Sequence, residues 1–548
     1  MRKESFRKGS FHRERPSNPG EAWILGSGTA ALASALYLIR LANFSPRNVH
    51  ILDSHGSLAL AVHNTGNQSS GYDQFPGCLP VPVGEPLKDL LGLVPSVRDE
   101  NQTVFDEIKN AEYFASPDNR HDLNTQFLVQ QDGKLINIPT KFLNLEFRQR
   151  IALVRLMLKG EKSLQRKQIR DYLPRSFFKG TFWAIWSAQF GFQPWHCASE
   201  FRRTIRQYLR DFHGLKILSC LDITGRYQFE STFIPIYHFL RSLEVDFRFD
   251  AKVKDIVTCV RDGQRVVRSI NLVEKGFELC QVIGQDDIVI ATLGSTVSGS
   301  TTGNNDNPPF RASMQPNEAL DENWSLWLEL GAHHTCFGDP YNFCTRVSES
   351  MLESFTITTE DIALFEHLCT ISQCPPECGA FISLQESPWR MNLCLPTQPV
   401  FPEQPNNTRV FWGFANFPES RGKYVNKMML HCSGAEIMTE LLHHLNLDES
   451  HLQKRTVTVP RVMPRMSAIL LARAVNDRPM IIPRCIANIG LVGQFADMPQ
   501  HSCVDMSYSV RTAQKAVSHL TGLKLERGEY KDWSNNSLCT VAKVLFWK

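Results

Sequence analysis

At 548 residues the chain is long enough for roughly two to four domains around a sizeable core. Its 42% hydrophobic and 21% charged residues are ordinary for a globular protein, and a net charge of +3 without a sustained basic stripe gives no support for nucleic-acid binding. The 15 cysteines are scattered and odd in number, which points to reduced thiols inside a cell rather than a secreted disulfide framework.

Residues 1–20 are polar, mostly basic and lack a hydrophobic pattern, so they predict a disordered tail. The stretch that follows organises the chain. The apolar run Ala22-Trp23-Ile24-Leu25 enters the turn Gly26-Ser27-Gly28-Thr29-Ala30-Ala31. A small-residue helix comes next, and a second apolar run, Val49-His50-Ile51-Leu52, ends on Asp53. Strand, glycine turn, helix, strand and terminal acid are the order of a dinucleotide-binding unit. Gly26 permits the tight turn, and Gly28 lets backbone approach a pyrophosphate. Ala31 takes the third small position, and Asp53 is placed to accept from a ribose hydroxyl. The helix N-terminus offers unpaired N–H groups to phosphate. The uncharged run from Ala22 to Ile39 behind a basic N-terminus also fits a signal peptide or membrane span. The Gly-Ser-Gly break and the strand after it argue against both.

Residues 54–86 form a long irregular segment, which must be functional or tied down. From Leu87 to about Arg175 the spacing predicts amphipathic helices. The block Ser176–His196 is dense in aromatics, with Phe182, Trp183, Trp186, Phe190, Phe192 and Trp195. It reads equally as helical core and as one wall of an apolar ligand cavity. Strands are expected at Val245–Phe249, Val253–Val267, Ser269–Val273, Phe277–Val282 and Asp287–Thr292. The last of these ends at Gly294 and opens a Ser/Thr/Gly/Asn-rich loop. Arg409–Phe414 and Thr456–Pro464 read as extended, and Thr439–Leu447 as a helix. The buried strand Ile486–Val492 leads to Gly493-Gln494-Phe495 and a helix around Ser507–Thr521. A late strand, a glycine and a helix is how many FAD proteins close the cofactor domain. This assigns Gly294, Gly493 and Gln494 to the cofactor beside Gly26, Gly28, Ala31 and Asp53. Cys369, Cys374 and Cys378 fit no zinc spacing, and His333-His334 and His443-His444 diverge on any element, so no metal site is predicted.

From about Ala22 onward the chain resembles the oleate hydratase family, FAD proteins once called myosin-cross-reactive antigens. The resemblance rests on a set of blocks in family order: GSGTAALASALYLIR with VHILD, FWAIWSAQFGFQPWHCASEFRR, RYQFES, DIVIATLGSTVSGSTTG, WSLW, GKYVNKMM, TVPRVMP, NDRP, and GQFADMP with YSVRTAQKAV. It implies an α/β fold with a discontinuous Rossmann-like FAD-binding domain, an α+β substrate domain and a helical lid region. On that template the FAD-binding domain takes 21–60, 240–300 and 456–525. A helical, aromatic-rich region takes 61–239, a substrate domain 301–455 and a C-terminal tail 526–548. The implied chemistry is hydration of a cis double bond in an unsaturated fatty acid, without net redox. The thiol usage implies a cytoplasmic protein, and the family resembled is often dimeric, although no homodimer interface is visible in the sequence. The short apolar tail Leu538–Lys548 leaves room for a weak peripheral membrane contact.

Four spots depart from the family pattern. Its Gly-Gly turn against the flavin falls on Ala59-Leu60. Its water-activating Glu falls on Leu79, which cannot accept a proton. Its alkene-protonating tyrosine is replaced in register, leaving Tyr227 one or two positions away. Its Thr-x-Asn contact to the substrate carboxylate falls on Cys394 and Pro396. Tyr227 is a candidate acid, and Glu85, Asp73 and Glu230 are candidate carboxylates. Each is also explained by packing or solvation. Two alternatives stay open: a non-catalytic lipid-binding relative, and an FAD-dependent oxidoreductase.

Overall fold

The computed structural model describes residues 20–56, 66–73, 78–80, 86–110, 126–138, 145–210, 223–310, 320–372, 380–448, 456–499, 501–504 and 506–525, with backbone alone at 78–80, 110, 126, 209–210 and 223–227. Strand β1 (Ala22–Leu25), helix α1 (Thr29–Arg40) and strand β2 (Val49–Leu52) fall where the apolar pattern puts them. Among the described residues they belong to a five-stranded parallel sheet in the order Ile489–Val492, Ile288–Thr292, β1, β2, Asp246–Arg248. Every residue of β1, β2 and Ile489–Val492 is buried. Such continuous apolar runs are what a sheet covered on both faces requires. Helix α1 packs against the helix Met506–Thr521 as well as the sheet, so it is buried almost all round. The stretch that could pass for a membrane span is therefore a strand, a turn and a helix. Among the described residues no helix is long and apolar enough to cross a membrane.

An antiparallel meander, Ala251–Arg261, Gln264–Glu274 and Phe277–Val282, is inserted between two strands of the parallel sheet. A mostly antiparallel eight-stranded sheet forms the second layer system, with its own apolar core under Phe355, Ile357, Leu393 and Phe411. Two of its strands, Gln126–Gln131 and Lys134–Asn137, interrupt the stretch read as helical. Their alternation is short and lies beside strong helical patterns, so the longer period dominated the reading. The strand Thr456–Met463, grouped with the nucleotide sheet by chain order, pairs instead with Leu352–Thr359 in this second sheet. The Rossmann-like α/β fold itself is as expected.

The expectation of uniformly reduced thiols is corrected at one place. Cys336 and Cys485 form a disulfide with Cα atoms 6.4 Å apart, joining segments 149 residues apart in sequence. Sequence spacing carries no signal for such a pair, because the fold alone brings it together. Cys374, Cys378, the tail 1–19 and residues 526–548 lie outside the described residues.

Among the described residues, a buried carboxyl sits without a hydrogen-bond partner. Glu353, opposite Ala415 and Val462 in the second sheet, is fully buried and neither of its oxygens has a hydrogen-bond partner. Burial holds its carboxyl well above the ordinary range. Between the ordinary glutamate value and that raised value, the folded chain keeps a proton that the unfolded chain has lost. Its stability therefore falls as pH rises through that window. Glu353→Gln is expected to remove this slope and to exceed the parent in urea denaturation at about pH 8 by ~1 kcal/mol or more. Identical pH slopes for parent and variant would refute the assignment.

Candidate functional site

In an open parallel sheet the ligand crevice lies beyond the carboxyl ends of the strands. Here four chain segments leave those ends together: Gly26 after β1, Asp53 after β2, Gly294 after Ile288–Thr292 and Gly493 after Ile489–Val492. All four line one cavity of about 810 Å³, together with Gly28 and Gln494. Gly26 holds φ +105°, a conformation that side chains rarely adopt, with Thr292 against its would-be Cβ. Gly28 has ordinary φ and nothing within 4 Å of a would-be Cβ, so the space beside it belongs to the cavity. It is also the N-cap of α1, which carries no side-chain cap and no acidic residue in its first turn. Its N–H groups therefore face the cavity uncompensated. Ala31 does not line the cavity; it is fully buried, and Ala30 takes the lining position.

Asp53 is buried and fixed by two neighbours that sequence reasoning did not single out. Ser27 Oγ donates to its Oδ2. His55 donates to Oδ1 through its backbone N–H at 2.8 Å and its Nδ1 at 2.9 Å. That hydrogen bond keeps the imidazole pKa above its ordinary value, against the effect of burial. Asp321 was also missed, although its place before Glu322-Asn323-Trp324 is a helix-cap signature. It caps the helix Glu322–His333, accepting from Trp324 N–H at 3.1 Å, and it lines the same cavity. Burial, opposed by that hydrogen bond, pushes its carboxyl up to about 6.

A second, apolar pocket of about 210 Å³ adjoins the first. Leu352, Trp412, Phe414 and Met463 from the second sheet face it, and Met466, Gln494 and Val504 line both spaces. The aromatic block divides between a pocket wall and the core. Phe190 with Gln189 and Gly191 forms a wall of this pocket. Phe182, Trp183, Trp186 and Phe192 are buried in the core.

The catalytic candidates are only partly brought together. Strands Cys78–Pro80 and Ile223–Tyr227 form a two-stranded ladder with Cys78 opposite Tyr227, so the backbones of Leu79 and Tyr227 lie in neighbouring register. The side chains of both, and Glu85 and Ala59-Leu60 entirely, lie outside the described residues. Asp73 lines the large cavity but is ion-paired with Arg461. Glu230 sits in a π-helical turn, Phe229–Phe233, whose flanking residues Gln228 and Phe233 line the cavity. Burial and then the nearby Glu403 charge hold its carboxyl above its ordinary value, and its Oε2 has no partner. Cys394 and Pro396 line neither space.

The family model described as MCRA family matches residues 20–518. The chain belongs to the MCRA family. It is 29% identical over 520 residues to a protein named oleate hydratase from Streptococcus pyogenes serotype M49 (strain NZ131), covering 92% of this chain and 86% of that one. It is 25% identical over 549 residues to a linoleate hydratase from Lactiplantibacillus plantarum, covering 92% and 94%. Among solved structures it is similar to cyclohexylamine oxidase from Brevibacterium oxydans IH-35A at 10% identity and a TM-score of 0.48, over 92% of this chain and 99% of that one. The family membership agrees with the sequence resemblance to oleate hydratases.

Three of the blocks that carry that resemblance meet in this MCRA chain at one buried ionic network. Glu200 on the helix Ala198–Arg210 receives Arg203 at 3.0 Å, Arg478 at 2.7 Å and Arg473. Asp497 receives Arg478 at 2.8 Å and Arg203 at 3.1 Å. Burial opposes ionisation of Glu200, but Arg478, Arg203 and Arg473 outweigh it and hold its carboxyl down to about 2. The network anchors the loop that carries Gln494 and Phe495 into the cavity, and Arg478 Nη1 also donates to the Gln494 carbonyl at 3.2 Å. Glu200→Gln leaves buried guanidiniums short of a counter-charge, and a loss of about 3–5 kcal/mol in denaturant unfolding is expected. The parent's own stability should fall as pH drops from about 4 toward about 2, the window between the unfolded and folded carboxyl values. A loss below about 1 kcal/mol in the variant would show the network to be dispensable.

Proposed function

We propose that this MCRA-family chain holds FAD along the carboxyl edge of its parallel sheet. An unsaturated fatty acid, or a fatty-acid-like chain, occupies the adjoining apolar pocket. The reaction class is hydratase-type alkene chemistry without net redox, altered at the position of Leu79. The observation that carries the reading is the junction of a polar, glycine-edged cavity with an apolar pocket through Met466, Gln494 and Val504. The two hydratase relatives support the substrate class.

The residues present fit the adenosine and pyrophosphate portion of FAD. The open space at Gly28, the uncapped N-terminus of α1 and the pre-oriented Asp53 supply donors, a favourable dipole end and a ribose acceptor. Bound FAD would supply a fixed, polar surface beside the alkene. Addition of water needs a proton donor to one carbon and a base for the water. Tyr227 is the candidate donor. Glu230 is the carboxylate best supported by its surroundings, because it sits beside the cavity and burial, then the Glu403 charge, holds its carboxyl above the ordinary range. Asp73 is tied to Arg461, and Glu85 remains a candidate from sequence alone. Leu79 accepts no proton, which favours a second reading: a relative that binds the lipid without hydrating it.

Two measurements test these statements. The purified chain should show flavin absorption bands or take up added FAD. Gly28→Ala should fold normally but bind FAD at least tenfold more weakly, because its Cβ enters the cavity; a colourless protein that takes up no FAD refutes the cofactor assignment. Incubation with oleate, followed by mass analysis for an added water, should give little hydroxy acid from the parent and more from Leu79→Glu. Efficient hydration by the parent would place the base elsewhere.

A further inference from the structure

The chain as a whole carries a net charge of only +3, yet residues 147–179 hold ten Lys and Arg against two acids. Buried residues separate the basic ones, so no stripe stands out along the sequence; the fold collects them. One of the two acids, Glu161, is spent on Arg202 and Arg203. The segment lies along the helix Ala198–Arg210. Arg202 and Arg206 of that helix donate to the carbonyls of Lys159 and Met157, and the Ala198 N–H donates to the Lys167 carbonyl at 3.0 Å. While the backbone is tied inward in this way, Lys159, Lys162, Lys167 and Arg170 are exposed. Among the described residues none of the four has an ion-pair partner.

The helix Phe147–Leu158 spends its inner face on the core through Leu153, Val154, Leu156 and Met157. Its outer face is not purely polar. At helical spacing Phe147, Ile151 and Leu158 fall within about 40° of arc, and Arg155, Arg148 and Lys159 follow within about the next 80°. Phe147 is 69% and Leu158 60% exposed. A single exposed apolar residue is ordinary. Two in line with the half-buried Ile151, edged by three cations, make a mixed face. A nucleic-acid backbone would use the cations and leave Phe147 and Leu158 in water. An anionic bilayer uses both, because headgroups take the cations while apolar side chains reach the acyl boundary. We propose that the helix Phe147–Leu158 and the turns after it, as far as Arg170, dock on an anionic phospholipid surface. This surface is distinct from the tail Leu538–Lys548. Its docking requires neither FAD nor an occupied pocket. The helix Thr181–Phe190, ten residues or about 15 Å long, joins the segment to the pocket wall at Phe190.

Sedimentation of the full chain with vesicles tests the assignment, using phosphatidylcholine alone and phosphatidylcholine with about one-third phosphatidylserine. Binding to the anionic vesicles is expected to be at least tenfold tighter, and to weaken as salt is raised. Arg155→Gln/Lys159→Gln/Lys162→Gln should bind them about a hundredfold more weakly. All three positions are exposed, so thermal unfolding and FAD uptake should match the parent. Phe147→Ser/Leu158→Ser keeps every charge and should still lose about tenfold, with the preference for anionic vesicles retained. Equal binding to the two vesicles, binding to neither, or parent-like binding by either variant overturns the assignment. Tighter binding to duplex DNA than to anionic vesicles, unchanged in Phe147→Ser/Leu158→Ser, overturns it as well and gives the surface to nucleic acid.

Discussion

The ligand-facing geometry depends on the buried contacts among Glu200, Asp497 and three arginines. Ion pairs of this kind are costly to desolvate, and a single missing partner leaves an uncompensated charge. The cluster therefore acts as an all-or-none fastener between parts of the chain nearly 300 residues apart, as the Arg203–Asp497 separation of 294 shows. On one side is the helix that follows the aromatic block. On the other is the loop after the last parallel strand, where Gln494 and Phe495 enter the cavity. Cys503 closes the ring by donating Sγ–H to Glu200 at 3.1 Å. The frame of the site is thus set by charge satisfaction behind it.

The front of the site is set by backbone. Parallel strands deliver their carboxyl ends to one edge, and the residues there either turn sharply, as Gly26 does, or present an acid, as Asp53 does. The second sheet supplies the apolar side of the junction through alternate residues of Leu352–Thr359. A polar crevice and an apolar pocket meet because two sheets with different side-chain rules meet. The parallel one is buried on both faces, and the antiparallel one divides its faces between its own core and the pocket.

Local pattern made the nucleotide edge legible in advance. β1, the glycine turn, α1, β2 and Asp53 follow from apolar runs and small residues within some thirty positions. The closing strand–glycine–helix was legible for the same reason, while the meander's first turn, Asp262-Gly263, falls inside the single strand expected at Val253–Val267. Non-local partners were not. His55, two residues from Asp53, was within local reach and was missed, whereas Ser27 against Asp53, Asp321 in the cavity wall, the Cys336–Cys485 pair and the Arg461–Asp73 contact all depend on tertiary placement. Among the latter, Asp321 alone had a local signal, its capping position. The strands Gln126–Gln131 and Lys134–Asn137 were hidden by stronger helical periods beside them. The sheet to which Thr456–Met463 belongs was hidden because chain order does not determine pairing partner.

The blocks that match the family and the residues that line the two spaces do different physical work. Glu200, Arg203, Arg478 and Asp497 lie in matching blocks and are held by multiple buried charges, so a change at any of them costs a large part of a domain's net stability. Residues that line the two spaces without joining that network bear no such cost, so substitution there is limited by the ligand more than by folding. A frame maintained by Glu200 and its arginines can therefore persist while the groups that face the ligand are exchanged. The nucleotide edge, the pocket and the identity of the reacting groups are separable properties of this chain. The presence of the first two constrains what binds; it does not by itself fix which reaction follows.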